Sequence, residues 1–199
     1  MTTGFLAAPA PDPDAQRLFD DDVAELGYVM NVSKLWAYQP ATVAHLFDLM
    51  GETHATQTLT FRERGILVTA CASTLGDAYC SLAWGSKLAG KSDAETAAGV
   101  LRGDDERLTP AERAMAGWAR KVAKDPNGTT AADVQELRDA GLSDAQIFAI
   151  TAYVALRLAF STVNDALGAR PDAALRTSAP EAVRDAVTYG RPIEDEEPT

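Results

Sequence analysis

The stretch Phe61–Leu88, FRERGILVTACASTLGDAYCSLAWGSKL, decides the fold of this chain. Its apolar residues recur at helical spacing on both sides of Gly76. Thr60 and Glu63 have the spacing of a capping box at the head of the first apolar segment. Gly76 can adopt the left-handed conformation that ends a helix. The stretch therefore predicts one helix before Gly76 and a second helix directly after it.

The same start and stop signals recur along the whole chain, and no segment alternates polar and apolar residues with the period of a strand. Further capping-box pairs are Ser92 with Glu95, Thr109 with Glu112, and Ser143 with Gln146. The glycines predicted to end helices are Gly27, Gly76, Gly90, Gly103, Gly141 and Gly168. We predict an all-α protein without a sheet, a compact multi-helix bundle. The predicted helices are 14–26, 32–38, 41–53, 61–75, 78–89, 93–101, 110–124, 131–140, 144–167 and 181–189.

The connections between these helices are short, which favours a single compact domain over residues 14–190. Residues 1–13 are rich in alanine and proline and carry no signal-peptide pattern, so they are expected to form a flexible arm. Residues 191–199 are acidic and form a second terminal segment that we expect to be poorly ordered.

Composition excludes several classes of protein. The 199 residues are 46% apolar, and 29 acidic against 18 basic side chains give a net charge of −11. Such a surface repels phosphate, so we expect neither a nucleic acid nor a membrane as partner. The apolar run 145–163 contains Arg157 and is predicted to be a core helix. With 2 cysteines and 2 histidines, we expect no structural metal, no disulfide scaffold, no cofactor and a cytoplasmic location.

Cys80 is the main catalytic candidate. With Asp77 as N-cap, it falls in the first turn of a helix, where the helix dipole favours a thiolate. The Asp77 carboxylate opposes ionisation, and a buried, inert cysteine is the alternative. Cys71 lies in an apolar stretch about 13 Å from Cys80 if the two helices continue straight, and it is predicted to be inert.

Arg157 lies in the most apolar predicted helix, so its guanidinium needs a carboxylate partner. Either a structural ion pair or an anionic substrate meets that need. The candidate protein partners are Asp77, Asp165 and Glu63.

His45 and His54 are candidate bases, although surface histidines are common. Four aromatic residues are candidates for lining a substrate pocket, and core or interface packing is the alternative for each of them. These aromatic residues are Trp36, Tyr38, Tyr79 and Trp84.

The run Phe61–Leu88 resembles the signature of the alkylhydroperoxidase-D-like superfamily, which includes the carboxymuconolactone decarboxylases. The stretch Leu108–Gly168 is similar to the second half of its peroxidase-related members. The resemblance implies an all-α core, a redox Cys-x-x-Cys at a helix start, and assembly into dimers, trimers or hexamers.

Four of the five redox positions of that motif are replaced in this chain. The relay Glu, the first cysteine, a His, the second cysteine and a second His fall on Gly65, Asp77, Tyr79, Cys80 and Trp84. Glu63 lies two positions from the relay slot, about 200° away around a helix, so it does not substitute for the missing Glu. Only Cys80 is retained.

Three functions remain open, and the first two make the chain an enzyme. The first is a weak, single-cysteine thiol peroxidase that uses Cys80 and an external thiol reductant. The second is a non-redox, decarboxylase-like enzyme on a small anionic substrate, with His54 or Glu63 as acid or base and Arg157 as anchor. The third is a non-catalytic binding or assembly protein. Because apolar faces at Val32–Tyr38 and Ala78–Ala89 exceed what one domain can cover, we expect a homo-oligomer.

Overall fold

The computed structural model describes residues 2–10, 12–55 and 57–195 of the chain. Eleven α-helices account for most of these residues. They are α1 (Pro13–Leu26), α2 (Asn31–Trp36), α3 (Pro40–Ala55), α4 (Phe61–Leu75), α5 (Ala78–Ala89), α6 (Ala94–Arg102), α7 (Pro110–Lys124), α8 (Ala131–Asp139), α9 (Asp144–Ala166), α10 (Leu175–Ser178) and α11 (Glu181–Ala186). A short 3-10 helix, Pro126–Gly128, follows α7. The predicted all-α fold class is confirmed.

Local capping explains why most helix bounds match the prediction. Capping boxes form at Thr60, Thr109 and Ser143, as their spacing predicts. The predicted cap at Ser92 is wrong, because Asp93 accepts the hydrogen bond from the Thr96 amide and starts the helix one residue later. Gly90 ends α5 in a right-handed conformation, so the left-handed stop predicted there is also wrong. The short helix α10 was not predicted.

Two strands of two residues, β1 (Thr2–Thr3) and β2 (Leu6–Ala7), pair antiparallel ahead of α1. They are the one departure from the prediction of no sheet. The Phe5 amide donates to the Leu167 carbonyl at 2.9 Å, and the Arg191 guanidinium lies over the Phe5 ring. At the other end, the Glu194 amide donates to the Pro171 carbonyl. Both terminal segments thus contact the helical body, and the proposed domain boundaries stay a prediction. Residues 1, 11 and 196–199 of these segments lie outside the described residues.

The centre of the bundle is α4, which packs against α5, α6, α7 and α9. Ile66, Leu67 and Val68 on α4 are buried, together with Ile150 and Val154 on α9. Within the described residues, α9 alone is long and apolar enough to cross a membrane by length and composition. It packs against α3, α4 and α7, as the sequence predicted for a core helix.

Most of the two apolar faces that motivated the oligomer prediction is covered within the chain, which corrects that argument, although Tyr38 is 47% exposed. Val32, Leu35 and Trp36 are buried, and so are most apolar residues of α5. The large apolar side chains exposed on this part of the bundle lie elsewhere, on α3 and α9. They are Phe47, Leu49 and Phe148, of which Phe148 is 76% exposed.

Candidate functional site

Cys80 lies in the first turn of α5 and faces α9. The Asp77 side chain caps the helix by accepting the Cys80 amide hydrogen bond at 2.9 Å. Two donors from α9 face the sulfur: Arg157 Nη2 at 3.5 Å and Ser161 Oγ at 3.6 Å. The residue is only 2% exposed. Cys80 therefore lies at the start of a helix, as predicted, but its side chain is shielded from solvent.

The Cys80 thiol is neutral in this environment. Burial raises its pKa well above the usual value, the Asp77 carboxylate raises it further, and Arg157 lowers it. Burial therefore outweighs the helix dipole, which alone favoured a thiolate. Cys71 is also buried; its thiol donates to the Val68 carbonyl at 3.3 Å, and desolvation raises its pKa to about 12. Neither cysteine is in a disulfide.

Arg157 is 2% exposed, and no carboxylate oxygen from the described part of the chain lies within 4 Å of its nitrogens. The predicted structural ion pair is therefore wrong. Its guanidinium instead lies between the Trp84 and Phe160 rings, 5.2 and 5.1 Å from their centroids. Its Nη1 approaches the Met50 sulfur at 3.9 Å. Cation–π contacts with two rings replace the missing partner only in part.

A second arginine faces the same region from α4. Arg64 Nη1 lies 3.2 Å from His54 Nε2, and the His54 ring is edge-on to Tyr153 with centroids 6.1 Å apart. Burial and the Arg64 charge lower the pKa of His54, so its imidazole is neutral at pH 7. A neutral Nε2 accepts the Arg64 hydrogen bond.

The structure brings together four of the predicted site residues: Cys80, Arg157, Trp84 and His54. It separates the other three. Trp36 stacks on Phe160 with a centroid distance of 5.7 Å and donates to Asn164. The Glu63 side chain accepts a hydrogen bond from the Thr60 amide, and the Tyr79 hydroxyl donates to the buried Asp172. The hydrogen bonds of Glu63 and Tyr79 are thus made to other partners, and their predicted roles, Glu63 as acid or base and Tyr79 in substrate binding, stay predictions. Of the remaining candidates, His45 is exposed, and Tyr38 is exposed and donates to the Ala7 carbonyl.

Sequence reasoning missed Arg64, Tyr153 and Ser161 as site residues. Tyr153, Arg157 and Ser161 are spaced four apart on α9, so they share one helical face. Polar residues at that spacing within an apolar helix are the signal that identifies the face.

Asp165 gives a pH-dependent test of the charge distribution near this site. Burial and the nearby Asp77 raise the pKa of Asp165 to about 6, against a smaller opposing effect of Arg191. An ionised Asp165 therefore destabilises the folded state, and this loss of stability develops as pH rises from about 4 to 6. We expect Asp165→Asn to raise the melting temperature more at pH 7.5 than at pH 4.5.

The matched control for this prediction is Asp144→Asn. A hydrogen bond from Arg138 lowers the pKa of Asp144, so this change is expected to bring no gain at pH 7.5. A larger gain for Asp165→Asn at pH 4.5 than at pH 7.5 contradicts the assignment.

The described residues contain no group of three His, Cys, Asp or Glu side chains placed to hold a metal ion.

No family model and no curated protein matches the sequence. Solved structures do match it. A peroxidase-related protein from Silicibacter sp. TM1040 superposes with a TM-score of 0.76 and 22% identity, covering 89% of this chain and 96% of that one.

A peroxidase-related protein from Ralstonia eutropha JMP134, described as an alkylhydroperoxidase AhpD core, superposes with a TM-score of 0.69 and 25% identity, over 88% of this chain and 95% of that one. The protein has the alkylhydroperoxidase-D-like fold. The resemblance found in Phe61–Leu88 and Leu108–Gly168 is thereby confirmed. The same fold is found in the debrominase Bmp8, solved with 2,3,4-tribromopyrrole, which superposes with a TM-score of 0.66 and 17% identity, over 94% of this chain and 98% of that one.

Proposed function

We propose that the protein is a weak, single-cysteine thiol peroxidase in which Cys80 is the redox-active residue. The observation that carries this proposal is the contact between the Cys80 sulfur and Arg157, a buried guanidinium without a carboxylate partner. A cation in that position stabilises a thiolate when it forms, and the Ser161 hydroxyl adds a second donor. Two solved structures with this fold, both of peroxidase-related proteins, support the same class of reaction.

The proposed reaction has two stages. The Cys80 sulfur attacks one oxygen of a hydroperoxide, the O–O bond breaks, and the leaving alkoxide takes up the proton lost by the thiol. The products are a sulfenic acid on Cys80 and an alcohol. An external thiol then forms a mixed disulfide with loss of water, and a second external thiol releases Cys80 and leaves as the disulfide. Two external thiols are oxidised for each hydroperoxide reduced.

Burial supports a competing proposal, a non-catalytic protein that keeps the fold. The Cys80 sulfur is sealed, and its raised pKa makes it a poor nucleophile at rest. A non-redox enzyme is also compatible with this site, with neutral His54 as the base and Arg157 as the anchor for a small anionic substrate. Trapping the sulfenic acid separates these alternatives.

The test uses native protein, Cys80→Ser and Cys71→Ser, each treated with an alkyl hydroperoxide in the presence of dimedone, which alkylates sulfenic acids. Because the chain has 2 cysteines, intact-mass analysis of this set assigns the adduct. We expect one adduct in native protein and in Cys71→Ser, and none in Cys80→Ser. Absence of an adduct in native protein contradicts the peroxidase proposal and leaves the other two.

We also propose that the chain forms a homo-oligomer through the exposed apolar side chains of α3 and α9. Phe47 and Leu49 on α3 and Phe148 on α9 are large apolar side chains left exposed to solvent, and a second copy of the chain would cover them. Light scattering is expected to give at least twice the chain mass of 21.1 kDa at micromolar concentration. Phe148→Glu is expected to shift the assembly towards monomer, and a monomeric native protein contradicts the proposal.

A further inference from the structure

The site around Cys80 holds two arginines that no carboxylate neutralises. Within the described ranges, neither Arg64 nor Arg157 has an acidic oxygen within 4 Å, although acidic side chains outnumber basic ones by 29 to 18 in the chain. By contrast, Arg62, on the same helix as Arg64, pairs with Glu112 at 2.6 Å. Arg157 is buried and Arg64 is partly buried. Burying a guanidinium without a carboxylate partner is costly, so a site that keeps both needs another explanation.

Both guanidinium groups have a hydrogen-bond donor without an acceptor. The Nε atoms of Arg64 and Arg157 are buried and have no hydrogen-bond partner. The contacts of Arg157 are with two sulfur atoms, which are weak acceptors, and Arg64 Nη1 contacts the neutral ring of His54. An unsatisfied Nε next to an Nη is the edge that binds a carboxylate through two parallel hydrogen bonds.

The two arginines act on one common region. Tyr153 lies one helical turn before Arg157 on α9, and the charges of both Arg157 and Arg64 lower the pKa of its phenol against the larger effect of burial. The surroundings are aromatic: Trp84 and Phe160 cover Arg157, and Phe61 covers Arg64. Asp77, which caps α5 at Cys80, supplies a carboxylate to this region, but it forms no ion pair with Arg64 or Arg157. The other side chains that face the two arginines are aromatic rings, sulfur atoms and the His54 ring.

We propose that Arg64 and Arg157 form a binding subsite for the carboxylate of a small aromatic acid, next to the Cys80 sulfur. This inference goes beyond the proposed peroxidase reaction, because a carboxylic acid is not a hydroperoxide; it names a ligand class for the same region of the protein. The carboxylate supplies the acceptors that both Nε groups lack, and the ring of the acid packs against Trp84 and Phe160. The acid thereby lies beside the thiol on which the reaction takes place.

The probe is benzoate, and benzamide is its neutral counterpart of the same shape. Calorimetric titration of the full chain is expected to show benzoate binding at least about 10-fold tighter than benzamide, because hydrogen bonds to charged groups contribute more than neutral ones. Arg157→Met and Arg64→Met are each expected to weaken benzoate binding by about 10- to 100-fold. The exposed Arg17 serves as the charge control, and Arg17→Met is expected to leave binding unchanged.

Replacing an unpaired buried cation with an apolar residue leaves no orphaned partner, so both variants are expected to fold, and thermal melting checks this. Arg157→Lys provides a second variant that keeps the positive charge but cannot form bidentate hydrogen bonds with a carboxylate. It is expected to bind benzoate more weakly than native protein. Equal binding of benzoate and benzamide, no binding of benzoate, or unchanged binding in both Met variants overturns the proposal. Cys80→Ser is expected to bind benzoate normally, so a failed peroxidase test and a failed subsite test are distinguishable.

Discussion

Asp77→Asn is expected to accelerate alkylation of Cys80 by about 10-fold or more at pH 7.5, since one pKa unit is a factor of ten in thiolate. The Asp77 carboxylate raises the pKa of the Cys80 thiol both through its charge and through a hydrogen bond with the thiol. Asparagine removes the charge and still caps α5, because its side-chain oxygen also accepts the Cys80 amide. The change therefore acts on the thiol with little cost to the helix.

The measurement is the rate of iodoacetamide labelling at each cysteine, read by peptide mass spectrometry. In native protein we expect Cys80 to label faster than Cys71, because only Cys80 lies at a helix start and contacts Arg157. The native Cys80 rate is expected to rise with pH from 7 to 9 without a plateau, since the pKa of this thiol lies above that range.

Cys71 is the internal control of this experiment. Asp77 raises the pKa of Cys71 through its charge alone and less than Arg157 lowers it, without the hydrogen bond that it makes to Cys80, so the Asp77→Asn change is expected to affect the Cys71 rate less. Equal or faster labelling of Cys71 in native protein contradicts the special position of Cys80. An unchanged Cys80 rate in Asp77→Asn contradicts the inhibitory role of Asp77.

The helices could be predicted from the sequence because the signals that set their ends are local. Thr60 and Glu63 satisfy each other's backbone amides within one turn, and Gly76 ends α4 with a positive φ of 76°. The errors are also local and small. At the start of α6, Ser92 and Asp93 both qualify as caps, and the hydrogen bonds of Asp93 to the amide and the hydroxyl of Thr96 decide the competition.

The site was predictable only in part, because side-chain partners are set by helix packing. The position of Cys80 followed from the Asp77 cap, but its burial depends on α9, more than seventy residues away. Arg157 was expected to pair with an acid by general electrostatics, and nothing local in the sequence shows that its neighbours are Met50 and two aromatic rings. Tyr79 turns to Asp172, a partner 93 positions away.

The relay positions that peroxidase-type redox chemistry needs are closed in this structure. A Cβ added at Gly65 would lie 3.3 Å from the Leu88 side chain, so a Glu there would require Leu88 to shift. Tyr79 is engaged with Asp172, and Trp84 lies over Arg157. No acid or imidazole therefore occupies a relay position.

Little or no alkyl hydroperoxide turnover is accordingly expected from native protein with a dithiol reductant. General-base assistance is worth about 10² to 10⁴ in rate, and the residues at the relay positions do not supply it. Asp77→Cys supplies a second thiol three residues before Cys80, which attacks the sulfenic acid, expels water and forms a reducible disulfide. It also removes the opposing carboxylate, at the cost of the helix cap, which is worth about 1 kcal/mol.

We expect Asp77→Cys to raise steady-state turnover by at least about 10-fold, because it lowers the Cys80 pKa by removing a like charge and also resolves the sulfenic acid before over-oxidation. Asp77→Ser is the matched control, since it removes the charge and keeps a cap without adding a thiol. Equal turnover of the two variants shows that charge and not resolution limits the rate. Robust native turnover that disappears in Cys80→Ser contradicts the expected weakness, whereas turnover that survives Cys80→Ser places the active groups elsewhere in the fold.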